Sequence, residues 1–160
     1  MRNLVLACTA FAAALGGARA FAQTCASPLP ISTQVLPLVM QDDSCTSADN
    51  ISSYDSGSVY APGSDVVYRV YGYRALHGAT PSLQFTLLPG QWFDPVMFAC
   101  QQCGAISTCI AAVDHGGEGG IESMIVDAQP AAYYLMVDSL WESHAIQGCG
   151  NYALHVSLAH

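Results

Sequence analysis

Between Asp94 and Ser139 the chain carries four short apolar runs, each closed by Gly, Pro, Asp or Cys, and three of its seven cysteines fall at or between the first two. Runs of this length alternate in polarity too quickly for helices and are bounded by turn formers, which is the pattern of strands. A chain built this way folds as an antiparallel sheet stapled at one end.

The rest of the sequence extends the pattern. Asp65 to Tyr71 alternates Val66, Tyr68 and Val70 against Val67, Arg69 and Tyr71. Ser82 to Leu88 follows with Leu83, Phe85 and Leu87 on one face, and Pro89-Gly90 marks a turn. Strands are then expected at Val96 to Cys100, Thr108 to Val113, Ile121 to Ala128, Ala132 to Ser139 and Asn151 to Leu158. In the last, Tyr152, Leu154, Val156 and Leu158 point inward. Pro28, Pro30 and Pro37 confine the region from Gln23 to Asn50 to edge strands, and the Ser- and Gly-rich stretch from Ser52 to Ser64 reads as a loop. No window keeps a helical period. Seven or more short strands at this spacing predict an all-β fold, a disulfide-stapled antiparallel β-sandwich of jelly-roll type.

The first residues set the address. Arg2, the apolar run from Leu4 to Leu15 and small residues at Ala20 and Ala22 form a signal peptide over residues 1–22. Gly16, Gly17 and Arg19 interrupt the run before it reaches the roughly 20 residues a membrane span needs. Residues 23–160 then form a single β-sandwich domain, secreted or periplasmic, with no membrane span after cleavage. The sequon at Asn50-Ile51-Ser52 is short enough to arise by chance.

Cleavage removes Arg2 and Arg19, and the sequence contains no lysine. Two arginines then stand against twelve acids, a formal charge of −10. Such a chain has no electrostatic footprint for nucleic acid or for anionic lipid surfaces. Six cysteines remain: Cys25, Cys45, Cys100, Cys103, Cys109 and Cys149. An even number in an exported chain favours disulfides. Cys100 and Cys103 have C-x-x-C spacing, but a structural zinc wants a second Cys or His pair at comparable spacing, and the sequence has none.

Several residues carry chemistry. Asp94, Asp114 and Asp138 lie at strand ends and, with Glu118, could gather at one rim to hold calcium through oxygen ligands; aspartates there also cap turns and solvate loops. Asp114, His115 and Glu118 are the only set that would serve a small secreted hydrolase. They sit among four glycines that make the segment a mobile, solvated turn, and no G-x-S-x-G elbow accompanies them. Trp92, Trp141, Tyr54, Tyr60 and Tyr134 fall outside the inward sets, and such rings stack on sugars or pack on protein partners, or fold back to plug a core. Trp92, Trp141 and Tyr134 are the expected ligand-binding residues, with Trp141 first because Glu142, Ser143 and His144 stand beside it.

The order of these pieces is similar to that of a known family. It runs Asp65-Val66-Val67-Tyr68, Phe93-Asp94-Pro95-Val96-Met97, a cysteine-bounded turn to Cys109-Ile110-Ala111-Ala112-Val113-Asp114, Glu122-Ser123-Met124-Ile125, Ala132-Tyr133-Tyr134-Leu135-Met136-Val137-Asp138 and Cys149-Gly150-Asn151-Tyr152-Ala153-Leu154-His155-Val156. From residue 65 to residue 158 the chain resembles the bacterial pre-peptidase C-terminal domain family. The chain departs from the family pattern at Pro95, at His115 in the acidic loop, and in lacking a preceding peptidase domain. The resemblance implies a non-catalytic appendage with a binding, targeting or structural role, its partner an extracellular polysaccharide or protein surface. A carbohydrate-binding, lectin-like protein is the alternative on the same fold class. Relatives carry a pair similar to Cys103 and Cys109, whose spacing around Gly104 is compatible with a turn-closing disulfide. Cys25, Cys45, Cys100 and Cys149 retain three pairings.

Overall fold

Alternation along the strands decides how the layers form. The computed structural model describes residues 23–49, 51, 53–54, 59–72, 81–139 and 148–159. Its strands are β1 (Leu29–Ile31), β2 (Leu38–Asp43), β3 (Ser53–Tyr54), β4 (Val59–Tyr60), β5 (Val66–Val70), β6 (Ser82–Pro89), β7 (Pro95–Cys100), β8 (Cys109–Val113), β9 (Glu122–Asp127), β10 (Tyr133–Ser139) and β11 (Asn151–Leu158). The boundaries from β5 onward lie within a residue or so of those expected. In the stretch expected to be a loop, the two-residue strands β3 and β4 pair with each other.

Two sheets face each other, one in the order β1-β5-β10-β7-β8 and the other β2-β11-β6-β9. From β5 onward the chain changes layer at every connection except the one between β7 and β8, so each sheet is made mostly of strands distant in sequence. The pairings are antiparallel except β1 with β5, where Leu29 lies beside Tyr68 in a parallel register. That is a departure from the wholly antiparallel expectation. It arises because the chain passes through β2 in the other sheet before reaching β5, and a connection that long permits a parallel return.

The inward residues of both sheets make one core. Tyr68, Val70, Met97, Leu135 and Val137 from one sheet meet Leu83, Phe85, Leu87, Leu154 and Val156 from the other. Phe85 and Tyr133 pack edge to face with ring centroids 6.4 Å apart. The outer face of the five-stranded sheet is also apolar, and Val67, Val96, Phe98, Cys100 and Met136 are covered there by Ile51 and Ala61. β7 and β10 are therefore buried on both faces, which is why PVMFAC and YYLMVDS read as nearly unbroken apolar runs.

Hydrogen bonds and disulfides hold the covering segment down. The Val67 N–H donates to the Gln23 carbonyl at 3.0 Å, and the Ile51 N–H donates to Asp65 Oδ2 at 2.8 Å. The disulfides are Cys25–Cys103, Cys45–Cys149 and Cys100–Cys109. The expected Cys103–Cys109 bridge is thus corrected. Cys100 ends β7, Cys109 begins β8, and the ladder sets them opposite each other. Cys103 stands in the connection between the two strands, where the N-terminal segment brings Cys25 to it.

Candidate functional site

Three connections emerge at the same end of the sandwich. The registers place Ser139 opposite Pro95, Val113 opposite Met97, Glu122 opposite Leu87 and Tyr152 opposite Pro89. The turn at 90–94, the loop at 114–121 and the chain leading into β11 therefore share one rim. Below it the Cys45–Cys149 bridge is reinforced by Gly150 N–H to Ser44 Oγ at 2.9 Å and Ser44 N–H to the Gly150 carbonyl at 3.0 Å.

Glu122 organises this rim. It occupies an inward position of β9, beside Met124 and Val126, and is completely buried. Its carboxylate accepts from the His115 N–H at 2.9 and 3.0 Å and from the Gly116 N–H at 2.5 Å. A buried carboxylate needs such donors, because an unpaired one is expensive to desolvate. The Gly119 N–H then donates to the Phe93 carbonyl at 2.9 Å, joining the loop to the 90–94 turn. Gly116 has no room for a side chain, since a Cβ there would lie 2.7 Å from the Gly120 carbonyl carbon and 2.9 Å from Glu122 Oε1. The loop expected to be a mobile, solvated turn is solvent-exposed over residues 114–118, while its backbone is pinned by a buried acid and by the adjacent turn. Glu122 escaped the sequence reading as a site residue, although an acid at an inward strand position was the signal for it.

The predicted residues divide between this rim and other places. Asp94 is 9% exposed, and its Oδ1 has no hydrogen-bond partner. Burial, followed by the charges of Asp114, Glu122 and Glu118, holds its carboxyl above the ordinary value. Asp114, His115 and Glu118 are exposed on the loop. Asp138 lies at the same end of the sandwich, beside Val96 in the ladder, but it is completely buried and its Oδ1 accepts from the Ser139 N–H at 2.6 Å. Among the described residues no three of His, Cys, Asp or Glu are grouped to hold a metal ion, so the calcium set expected from Asp94, Asp114, Glu118 and Asp138 is not assembled. Glu122, the acid nearest the loop backbone, spends its oxygens on N–H donors.

Of the expected contact aromatics, Trp92 stands on the 90–94 turn and is 56% exposed. Tyr134 is partly buried against the covered face of the five-stranded sheet, so it acts in packing. Trp141, the Asn50 of the sequon and residues 1–22 lie outside the described residues. A second polar group, inside the sandwich, went unnoticed in the sequence: the Tyr68 hydroxyl donates to Asp42 Oδ2 at 2.9 Å and lies 2.8 Å from the Tyr152 hydroxyl. Burial pushes both phenols well above their ordinary range. Asp42 also accepts from Gln23 Nε2 at 3.2 Å, so the network ties the N-terminal segment to the core.

Among solved structures, the pre-peptidase C-terminal domain of a collagenase from Bacillus anthracis matches over 81% of this chain and 93% of its own length, with a TM-score of 0.52 and 14% sequence identity. The chain is similar in fold to a pre-peptidase C-terminal domain. At that identity the likeness is one of architecture, a β-sandwich of two facing sheets. No protein-family model matches the chain, and no curated protein is similar to it. Within the architecture of a pre-peptidase C-terminal domain, the rim is where connections, charge and an exposed indole come together.

Proposed function

We propose that this chain is an exported, non-catalytic module, a jelly-roll-type sandwich that binds a partner outside the cytoplasm through one end. The observation that carries this reading is the pairing of all six cysteines of residues 23–160 into three disulfides, a state that persists in oxidising compartments. The fold-level likeness to a pre-peptidase C-terminal domain, an appendage of a collagenase in the relative, supports the same reading. Among the described residues no helix is long and apolar enough to cross a membrane. The Gln23 carbonyl is taken up by the Val67 N–H and its side chain by Asp42, so the residue after the expected cleavage point is itself tied into the fold.

The test has two parts. N-terminal sequencing of the exported chain is expected to begin at Gln23; a start elsewhere, or a chain retained in the cytoplasm, overturns the export assignment. Pull-down on insoluble polysaccharides, peptidoglycan and collagen is expected to retain the purified protein on one of them, and absence of retention on all overturns the targeting role. A carbohydrate-binding reading draws on the exposed Trp92, and loss of polysaccharide retention in Trp92→Ala would favour it.

A further inference from the structure

The two outer faces of the sandwich are finished differently. That of the five-stranded sheet is covered by the segment carrying Ile51 and Ala61. That of the four-stranded sheet stands open: Val39 is 57% and Ile125 59% exposed, with His155 and Ser123 in solvent between them.

The open face differs in composition from the rest of the chain. Its middle row runs Val39, His155, Thr86, Ser123 from β2 through β11 and β6 to β9. The flanking rows are Gln41, Ala153 and Leu88 on one side and Ser157, Gln84 and Ile125 on the other. None of these outward positions holds Asp, Glu, Lys or Arg, although residues 23–160 carry twelve acids. The nearest carboxylates in the ladder, Asp43 on β2 and Asp127 on β9, stand beyond the flanking rows at opposite corners. Each is already engaged, Asp43 by the Cys45 N–H at 2.9 Å and Asp127 by the Ser82 hydroxyl at 2.7 Å.

The face is also prepared to lose water. The Gln84 side-chain N–H donates to Ser123 Oγ at 3.3 Å, and the Thr86 and Ser123 hydroxyls lie 3.2 Å apart. Polar groups bonded to one another across strands lose less on dehydration than unpaired ones do. Beside them Val39, Leu88 and Ile125 expose aliphatic surface that burial would take out of water.

Charge selects the occupant. A cationic partner finds no acid on this face, and an anionic polymer finds no base. A sugar polymer finds no aromatic ring in these three rows to stack on. A surface of the same make, flat, uncharged and partly aliphatic, matches it throughout. The acidity of the chain opposes contact between two copies, and here they meet without setting carboxylate against carboxylate. Four strands about 4.8 Å apart, along about 20 Å of strand, give roughly 400 Å² per copy and about 800 Å² for a pair. That is below the 1,200–2,000 Å² of stable complexes and belongs to the weak, reversible class. We propose that the outer face of the β2-β11-β6-β9 sheet is the contact surface of a weak homodimer, two copies stacking sheet on sheet.

Sedimentation of the purified, disulfide-bonded protein over a concentration series tests this. Monomer should give way to dimer with a Kd between about 1 μM and 1 mM. Raising the ionic strength from about 0.01 M to about 0.15 M shortens the Debye length from about 30 Å to about 8 Å. The dimer should then tighten several-fold, because repulsion between two acidic copies is screened, whereas an interface of ion pairs would weaken. His155→Glu and Ile125→Asp each set a carboxylate in the face and should weaken the dimer at least about tenfold. Ile110→Asp, a like change on β8 of the other sheet, should leave it unchanged. All three positions are exposed, so unchanged melting temperatures would confirm that the variants fold. No dimer up to about 1 mM, a dimer that salt dissociates, a dimer lost in Ile110→Asp, or His155→Glu and Ile125→Asp associating like wild type overturns the proposal. A monomer whose retention on an insoluble polysaccharide is lost in His155→Glu also overturns it and assigns the face to that polymer.

Discussion

Removing the Glu122 carboxylate tests whether one buried acid orders the rim. In Glu122→Ala the His115 and Gly116 N–H groups lose their acceptor, and hydrogen bonds to a charged group are worth about 1.5–3 kcal/mol each. Two opposing effects reduce the sum. His115 and Gly116 are exposed residues whose amides could turn to water, and removing one negative charge relieves its repulsion with Asp94. The expected net loss is about 3 kcal/mol, or roughly 10 °C in Tm for a domain of this size. Glu122→Gln keeps one acceptor oxygen and places an NH2 against backbone donors, so it should cost about 1 kcal/mol. Urea unfolding with disulfides intact measures both, and an unchanged slope against denaturant would confirm that the comparison is of stabilities alone. Amide hydrogen exchange supplies the local readout: His115 and Gly116 should exchange faster in both variants while β6 and β11 are unaltered. An alanine variant within about 1 kcal/mol of wild type, or unaltered exchange at those two amides, would refute the clamp.

Three other outcomes follow from the same structure. The raised Asp94 carboxyl holds a proton in the native state at pH values where the unfolded chain, near its ordinary 3.8, has lost it; native protein then binds more protons, and its stability falls as pH rises through that window. Asp94→Asn, uncharged throughout, should therefore gain in Tm on wild type as pH rises above about 4, and a flat or reversed difference would show that burial does not raise the Asp94 carboxyl. Replacing Cys45 and Cys149 by serine releases a closure spanning 104 residues, which should lower stability by about 4–5 kcal/mol; a calorimetric loss under about 1 kcal/mol would mean the hydrogen bonds of Ser44 to Gly150 suffice. The Tyr133 hydroxyl is buried without a hydrogen-bond partner among the described residues, and burial raises its pKa, so Tyr133→Phe should be about as stable as wild type or about 1 kcal/mol more so, whereas a loss above that would reveal a partner for the hydroxyl.

The strands were legible where polarity alternates with period two. β6 and β11 each bury one face and expose the other, so composition alone marks both their ends and their inward sets. β7 and β10 were legible as strands but not as doubly covered ones, because nothing local announces that Ile51 and Ala61 will lie over Val96, Phe98 and Met136. The cysteine pairing had a usable signal that the six-residue spacing of Cys103 and Cys109 obscured. Once Val96 to Cys100 and Thr108 to Val113 are read as neighbouring antiparallel strands, Cys100 faces Cys109 and Cys103 is left in the connection. The fate of Cys103 then depends on where the N-terminal segment crosses the sheet, a long-range fact. Asp138 and Glu122 carry the same lesson with opposite outcomes. Both are acids within apolar alternation, and both are completely buried; one hydrogen-bonds the adjacent Ser139 amide, the other clamps a loop.

The distribution of buried acids also explains how a chain this acidic keeps a specific surface. Glu122, Asp138 and Asp65 are each buried at a strand end or entry, and each accepts from backbone N–H groups. A carboxylate satisfied by amide donors needs no basic partner, which is how the sandwich folds with two arginines and no lysine in residues 23–160. Asp94 breaks that pattern. It is comparably placed, just ahead of β7, and nearly as buried, yet one oxygen receives no amide. Burial and the like charges of Asp114, Glu122 and Glu118 raise its carboxyl instead, so proton uptake rather than an amide donor lowers the cost of burying it.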